Sequence, residues 1–267
     1  MRIAVAGKGG AGKTTISATL ARLGARSGQS VVAIDADANP NLGIALGVAP
    51  EAARELSAIP SSLVSRRLGG TGLNEALDDV LDHYALTAPD GVRLLGMGAP
   101  AHAEEGCLCS AHAVVSAVIE DLGDAADRLV VVDMEASPEH LSRGTIRHVD
   151  LVCLVAEPYY RSLETVRRMA ALAGELPVAI VVVANKVRSE ADLEAITEFC
   201  ERHELTFAGA VPWSDEIVAA DRARSAVIDW PGAENVTAAV AALRLSLPAP
   251  TLQITGPRSV VALRAGK

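Results

Sequence analysis

A-G-K-G-G-A-G-K-T-T, residues Ala6 to Thr15, follows a short apolar strand, Ile3 to Ala6, and opens a helix with Ile16, Leu20 and Leu23 at apolar positions. Gly7, Gly12, Lys13 and Thr14 meet the G-x-x-x-x-G-K-[ST] spacing in this strand-to-helix context. Such a loop curls so that successive backbone N–H groups face phosphate oxygens. Gly9, Gly10 and Ala11 belong to that curl, and Thr15 stands behind it at the helix start. The positive end of the helix dipole falls at the same place. Lys13 would neutralise the β- and γ-phosphates, and the Thr14 hydroxyl would hold Mg²⁺. A nucleoside triphosphate is the expected ligand, with its diphosphate as product.

A second lysine, Lys8, follows the first glycine, where the ordinary pattern needs none. The form K-G-G-x-G-K-T-T resembles the deviant phosphate loop of the MinD/ParA/nitrogenase-iron-protein superfamily. In that superfamily the extra lysine reaches across a dimer interface to the partner's nucleotide. The resemblance therefore implies an ATP-stabilised homodimer, with Lys8 acting beside Lys13 in catalysis.

Around the loop, apolar strand-like runs alternate with helical patterns. Strands are expected at 3–6, 31–35, 92–95, 129–132, 151–155, 178–183 and 206–211. Helices are expected at 14–26, 73–84, 111–122, 163–173, 190–203 and 234–245, the fifth with a Ser189/Asp192 capping box. Continuous apolar strands separated by helices predict a doubly wound α/β fold, mostly parallel, with helices on both faces and the ligand at the carboxyl ends of the strands. One domain is expected over 1–247. Residues 50–72, with weak periodicity, read as a small insertion. The stretch 248–267 reads as a tail broken by Pro248, Pro250 and Pro257.

Composition narrows the partners. The chain has 267 residues and half are hydrophobic, but only 3% are aromatic, so the core must be built from Ala, Val, Leu and Ile. A net charge of −9 argues against a general affinity for nucleic acid or anionic membrane. No apolar run approaches the roughly 18 residues that span a bilayer, and the first strand begins at once. A cytoplasmic location without membrane or nucleic-acid partners is the expectation.

The carboxylates come next. Asp35 ends the second strand and leads into D-A-D-A-N-P-N, which holds Asp37. By the resemblance Asp37 positions or activates the attacking water, and Asp35 supports the loop. Leu129 to Asp133 is an apolar run closed by a carboxylate, the look of a Walker B strand, so Asp133 would reach Mg²⁺ through water. Met134 to Gly144 would then be the second switch, with the roles of Glu135, Glu139 and His140 open. In V-A-N-K-V, Asn185 and Lys186 follow a strand; the resemblance makes that asparagine a reader of adenine and lays Pro212 beside the base. Arg188 stands where a guanine-reading N-K-x-D motif has its aspartate, so ATP is preferred to GTP.

Four cysteines remain. Cys153 and Cys200 lie in apolar patterns and read as packing. Cys107 and Cys109 form a lone C-x-C before a helix, a spacing open to metal binding or to no role; His102 and His112 are nearby alternatives. A soft four-coordinate metal needs four ligands, and two C-x-C pairs facing across a twofold axis would supply them.

Together, G-C-L-C, V-V-D-M-E-A-S-P-E-H-L-S-R-G, E-P-Y-Y-R-S-L-E-T, V-A-N-K-V and V-P-W-S-D-E-I resemble the CooC-type accessory ATPases, nickel-insertion factors of carbon monoxide dehydrogenase. The resemblance implies ATP-dependent dimerisation, nickel or zinc between subunits on Cys107 and Cys109, and a client metalloenzyme such as carbon monoxide dehydrogenase. Three other readings stand beside it. They are a MinD/ParA-like positioning or partitioning ATPase without a metal role, a reductase with a bridging iron–sulfur cluster, and an ATPase whose cysteine pair is idle.

Overall fold

The computed structural model describes residues 1–67, 70–97, 109–122, 128–135 and 145–248. In chain order the described strands are β1 (Arg2–Gly7), β2 (Ser30–Ala36), β3 (Val64–Arg67), β4 (Gly70–Leu73), β5 (Leu86–Thr87), β6 (Arg93–Gly96), β7 (Arg128–Met134), β8 (Leu151–Ala156), β9 (Ala179–Val187) and β10 (Thr206–Pro212). The described helices are α1 (Lys13–Arg26), α2 (Leu42–Ala45), α3 (Pro50–Arg54), α4 (Leu77–Tyr84), α5 (Cys109–Asp121), α6 (Tyr160–Ala173), α7 (Glu190–Arg202), α8 (Asp215–Arg222) and α9 (Glu234–Ser246).

Eight of these strands form one sheet in the order β10-β9-β8-β1-β7-β2-β6-β5. Every pairing in it is parallel except that of β5 with β6. The expected doubly wound, mostly parallel sheet is what the chain forms. Side chains alternate across each strand, so β1 feeds two cores at once. Ile3 and Val5 pack with Ile16 and Leu20 of α1 and Val236 and Val240 of α9. Ala4 and Ala6 pack on the other face with Val118 of α5, Val166 of α6 and Ile196 of α7. With both faces covered, the strands read as unbroken Val, Ile, Leu and Ala runs.

The strand order reverses at β1, with β8 on one side and β7 on the other. The loop leaving β1 therefore opens at a topological switch point, where the carboxyl ends of neighbouring strands diverge to leave a crevice. On α7 the Ser189 Oγ accepts the Asp192 N–H at 3.2 Å. Asp192 reaches back one residue beyond the usual box and accepts the Arg188 N–H at 2.8 Å.

The structure differs from the periodicity between 50 and 84. The helix expected from residue 73 starts at Leu77, because Gly70–Leu73 pairs antiparallel with Val64–Arg67 in a hairpin. The described part of 50–72 is built from short pieces, of which Ile59 and Leu63 reach the core. Such pieces are too short to show a period. Helix α8 was not expected. The final helix ends at Ser246, before Pro248, and the stretch 249–267 lies outside the described residues.

Candidate functional site

The phosphate loop is held in a shape that side chains would spoil. Gly7 has φ +153, and a Cβ there would meet the Val155 carbonyl oxygen at 2.5 Å. Gly12 caps α1 at φ +92, and a Cβ there would run into the Asn185 amide. Both are conformations that L side chains rarely adopt. The Ala11 N–H closes a turn on the Lys8 carbonyl at 3.1 Å. Gly9 and Gly10 lie at the exposed crest, and Lys13 is buried at the first helical position. This cradle of glycine backbone and helix start fits a triphosphate chain.

Asp133 ends β7 beneath the loop. Its Oδ2 accepts the Thr14 hydroxyl at 2.6 Å and its Oδ1 the Ser17 hydroxyl at 3.1 Å. Burial lifts its carboxyl to about 6, against the pull of Thr14, of the Lys13 charge and of Ser17. Asp35 on β2 is its register partner. It accepts N–H groups from Leu42 at 2.8 Å and Asp37 at 3.2 Å. Burial is the main reason its carboxyl rises to about 7, and the nearby Asp133 and Asp37 charges add to the rise. Asp37 lies half-buried past the strand, its Oδ1 accepting the Asn39 N–H at 2.9 Å. Thr14 and Asp133 together present hard oxygen donors, a set that suits Mg²⁺.

The back of the loop is braced from β9. Asn185 Nδ2 donates to the Ala11 carbonyl at 2.6 Å. Lys186, at φ +59, turns its Nζ to the Gly10 carbonyl at 2.6 Å and to Glu157 Oε1 at 2.8 Å. Glu157 follows β8, and nothing in the sequence around it signals this contact. A cavity of about 430 Å³ continues from the loop, lined by Thr15, Ile16, Asn41, Asn185, Trp213 and Val236 among others. Pro212 ends β10; its neighbours Val211 and Trp213 line the cavity, but Pro212 does not. The Arg188 guanidinium stacks 3.9 Å from the Trp213 ring. Sequence reasoning named Pro212 and missed Trp213; the aromatic directly after a strand end in V-P-W is the signal that could have found this wall. Lys8, half-buried, reaches the Tyr159 hydroxyl rather than the loop itself.

The structure says less about the cysteine pair. Cys107, His102, Glu139 and His140 lie outside the described residues, and Cys109 is described only as the first residue of α5. Among the described residues no group of three or more His, Cys, Asp or Glu is placed to hold a metal ion. Cys153 and Cys200 are buried, and burial pushes their thiols up to about 12 and about 11, as expected of packing residues. Among the described residues no helix is long and apolar enough to cross a membrane.

Fold and loop together define a nucleotide-binding P-loop ATPase of the MinD/ParA kind. The chain belongs to the CobQ/CobB/MinD/ParA nucleotide binding domain family, whose model matches residues 3–227. It is 39% identical over 233 residues to the carbon monoxide dehydrogenase accessory protein CooC of Rhodospirillum rubrum, covering 84% of this chain and 88% of that protein. It is 37% identical to an ATP-binding protein of Methanocaldococcus jannaschii, covering 82% of this chain and 87% of that one. Among solved structures, the MinD cell division protein of Aquifex aeolicus superposes with a TM-score of 0.67 at 18% identity, over 94% of this chain and 99% of that one. That last likeness is one of fold.

Proposed function

We propose that this chain is an ATPase that dimerises on ATP, binds nickel or zinc through Cys107 and Cys109 of two subunits, and assists metal insertion into a carbon monoxide dehydrogenase-like metalloenzyme. The observation that carries the reading is the 39% identity to the Rhodospirillum rubrum accessory protein across most of both chains. The C-x-C of this sequence adds the soft ligands that a nickel or zinc cargo needs. Cys109 opens α5, and a helix start favours the thiolate form of a cysteine. The cytoplasm is the compartment that suits free thiols.

In this reading Lys13 and the loop N–H groups hold the phosphates, Thr14 and Asp133 hold hydrated Mg²⁺, and Asp37 aligns the attacking water. Asn185, at the loop end of the 430 Å³ cavity, faces the adenine. Mg²⁺ supplies charge neutralisation for the transferred phosphoryl group. ATP and ADP states differ in their affinity for the metal or the client, since only a differential affinity can drive handover.

The test is metal content and solution mass with and without ATP, using an Asp37→Asn form to hold the nucleotide. Wild-type cysteines are compared with a Cys107→Ala/Cys109→Ala double mutant. About one nickel or zinc per ATP-bound dimer, lost in the double mutant, is the expected result for a four-thiolate site. A clean ATP-dependent dimer free of metal in both forms overturns the metal role and leaves a positioning or partitioning ATPase.

A further inference from the structure

Lys8 is tied to its own chain through a two-step relay. Its Nζ donates to the Tyr159 hydroxyl at 3.3 Å and lies 5.5 Å from the centre of that ring. A tyrosine hydroxyl has one proton, and Tyr159 donates it to Glu157 Oε2 at 2.7 Å. The other oxygen, Oε1, takes the Lys186 ammonium at 2.8 Å. Lys186 in turn donates to the Gly10 carbonyl in the phosphate loop at 2.6 Å. One carboxylate thus serves two lysines, and both lysines belong to the surroundings of the same loop.

The carboxylate is itself well fixed. Glu157 is 8% exposed, and its N–H donates to the buried Ser162 Oγ at 2.9 Å. The Tyr159 N–H folds back to the Glu157 carbonyl at 2.7 Å, which sets the ring at the N-cap of α6. The two arms differ in strength. Lys186 meets Glu157 directly, a charge-assisted bond in a partly buried place. Lys8 reaches only the neutral phenol, in an exposed place, so its hold is far weaker.

We propose that Glu157 and Tyr159 are positioning residues for two lysines of the phosphate site, Lys8 in the loop and Lys186 on β9. The direct arm keeps Lys186 on the Gly10 carbonyl throughout the cycle. The relayed arm parks Lys8 on Tyr159 in the single subunit and lets it go when two ATP-loaded copies meet. The release step rests on the ATP-dependent dimer proposed above; the parking does not.

Two measurements separate them. The first is trace acetylation of lysine amines in the nucleotide-free full chain, read by mass spectrometry with an added lysine peptide as internal reference. Tyr159→Phe keeps the ring and removes the hydroxyl. It is expected to raise Lys8 labelling about two- to fivefold, the worth of one exposed hydrogen bond. Glu157→Gln is expected to raise Lys8 and Lys186 together. Unchanged Lys8 labelling in Tyr159→Phe overturns the tether whatever the oligomeric state, and a rise at Lys8 alone in Glu157→Gln overturns the shared carboxylate.

The second measurement is sedimentation with ATP and Mg²⁺. Tyr159→Phe is expected to tighten the dimer by a similar factor, and the gain should vanish in a Lys8→Ala background. Raised Lys8 labelling combined with no ATP-dependent dimer in the wild type overturns the release step and the dimer reading, and leaves the tether standing.

Discussion

Asp35 and Asp133 are register partners on the neighbouring parallel strands β2 and β7, and both carboxyls are shut away from solvent. Burial lifts Asp35 to about 7, and the Asp133 charge beside it adds to the rise. A carboxyl raised in the folded chain holds a proton that the unfolded chain has already released. From the ordinary value of 3.8 up to about 7, folding therefore takes up protons here. The stability that Asp35 lends is present at low pH and lost as pH rises through that window. The unliganded chain should lose stability between about pH 4 and about pH 7, and Asp35→Asn should remove up to about 4 kcal/mol of that loss. Urea midpoints across the pH range are the check. Parallel curves for the two proteins would show that Asp35 ionises normally.

The two hydroxyls on Asp133 differ in what they serve. Thr14 lies on the loop side, at 2.6 Å from Oδ2, and Ser17 lies a turn further into the helix, fully buried, at 3.1 Å from Oδ1. Thr14→Ala is expected to lower kcat for ATP by about 100-fold or more, because in the proposed mechanism the Thr14 hydroxyl holds the Mg²⁺ that offsets phosphoryl charge. Its folding stability should change by only about 1 kcal/mol. Ser17→Ala should do the reverse, costing about 1–2 kcal/mol of stability with a modest effect on turnover. Steady-state kinetics and urea unfolding on the pair decide it; equal losses of kcat would mean that the helix, not the metal ligand, is what Thr14 supports.

The central sheet and its loop were legible because their signals are local. Ile3 to Thr15 carries strand, curl and helix start within one short window, and the Val-rich strands announce burial on both faces. The hairpin Val64–Leu73 was not, since its pieces pair with each other and show no period of their own. Asn185 and Lys186 were visible as residues following a strand, but not as braces of Ala11 and Gly10, which lie 174 and 176 positions away. Glu157 stood in the motif E-P-Y-Y-R-S-L-E-T but carried no signal of its contact with Lys186. Its importance comes from the close approach of β8 and β9, which brings Lys186 within 2.8 Å. Residue types disclose chemistry; which groups share one carboxylate is set by the topology.

Arg22 offers a stability prediction outside the site. It is 2% exposed and donates to Asp90, to both oxygens of Asp229, and to the Leu46 carbonyl at 2.7 Å. It ties α1 to two turns from distant parts of the chain. Removing it strands a buried carbonyl and leaves two carboxylates to share Arg26. Arg22→Ala should cost about 2–4 kcal/mol, near the range for breaking a buried pair. Arg26 binds the same two aspartates, but its side chain is 41% exposed. Arg26→Ala should cost less than about 1 kcal/mol. Chemical denaturation of the two variants gives the comparison, and similar losses would place the strength of the cluster at its surface.

Asn185 commits one amide proton to the loop. Its Nδ2 donates to the Ala11 carbonyl at 2.6 Å from a buried position, while the residue also lines the 430 Å³ cavity. The first role is blind to the base, because it fixes backbone that any triphosphate meets. The second is not, because an amide edge distinguishes adenine from guanine by which groups donate. Asn185→Ala should therefore raise KM for ATP by about tenfold with a smaller change in kcat, the mark of binding lost equally from ground and transition states. If the amide also reads the base, the rise for GTP will be smaller than for ATP, and the preference for ATP will narrow. Equal rises for both nucleotides would leave Asn185 as a brace of the loop alone, and base selection would pass to the Trp213 wall.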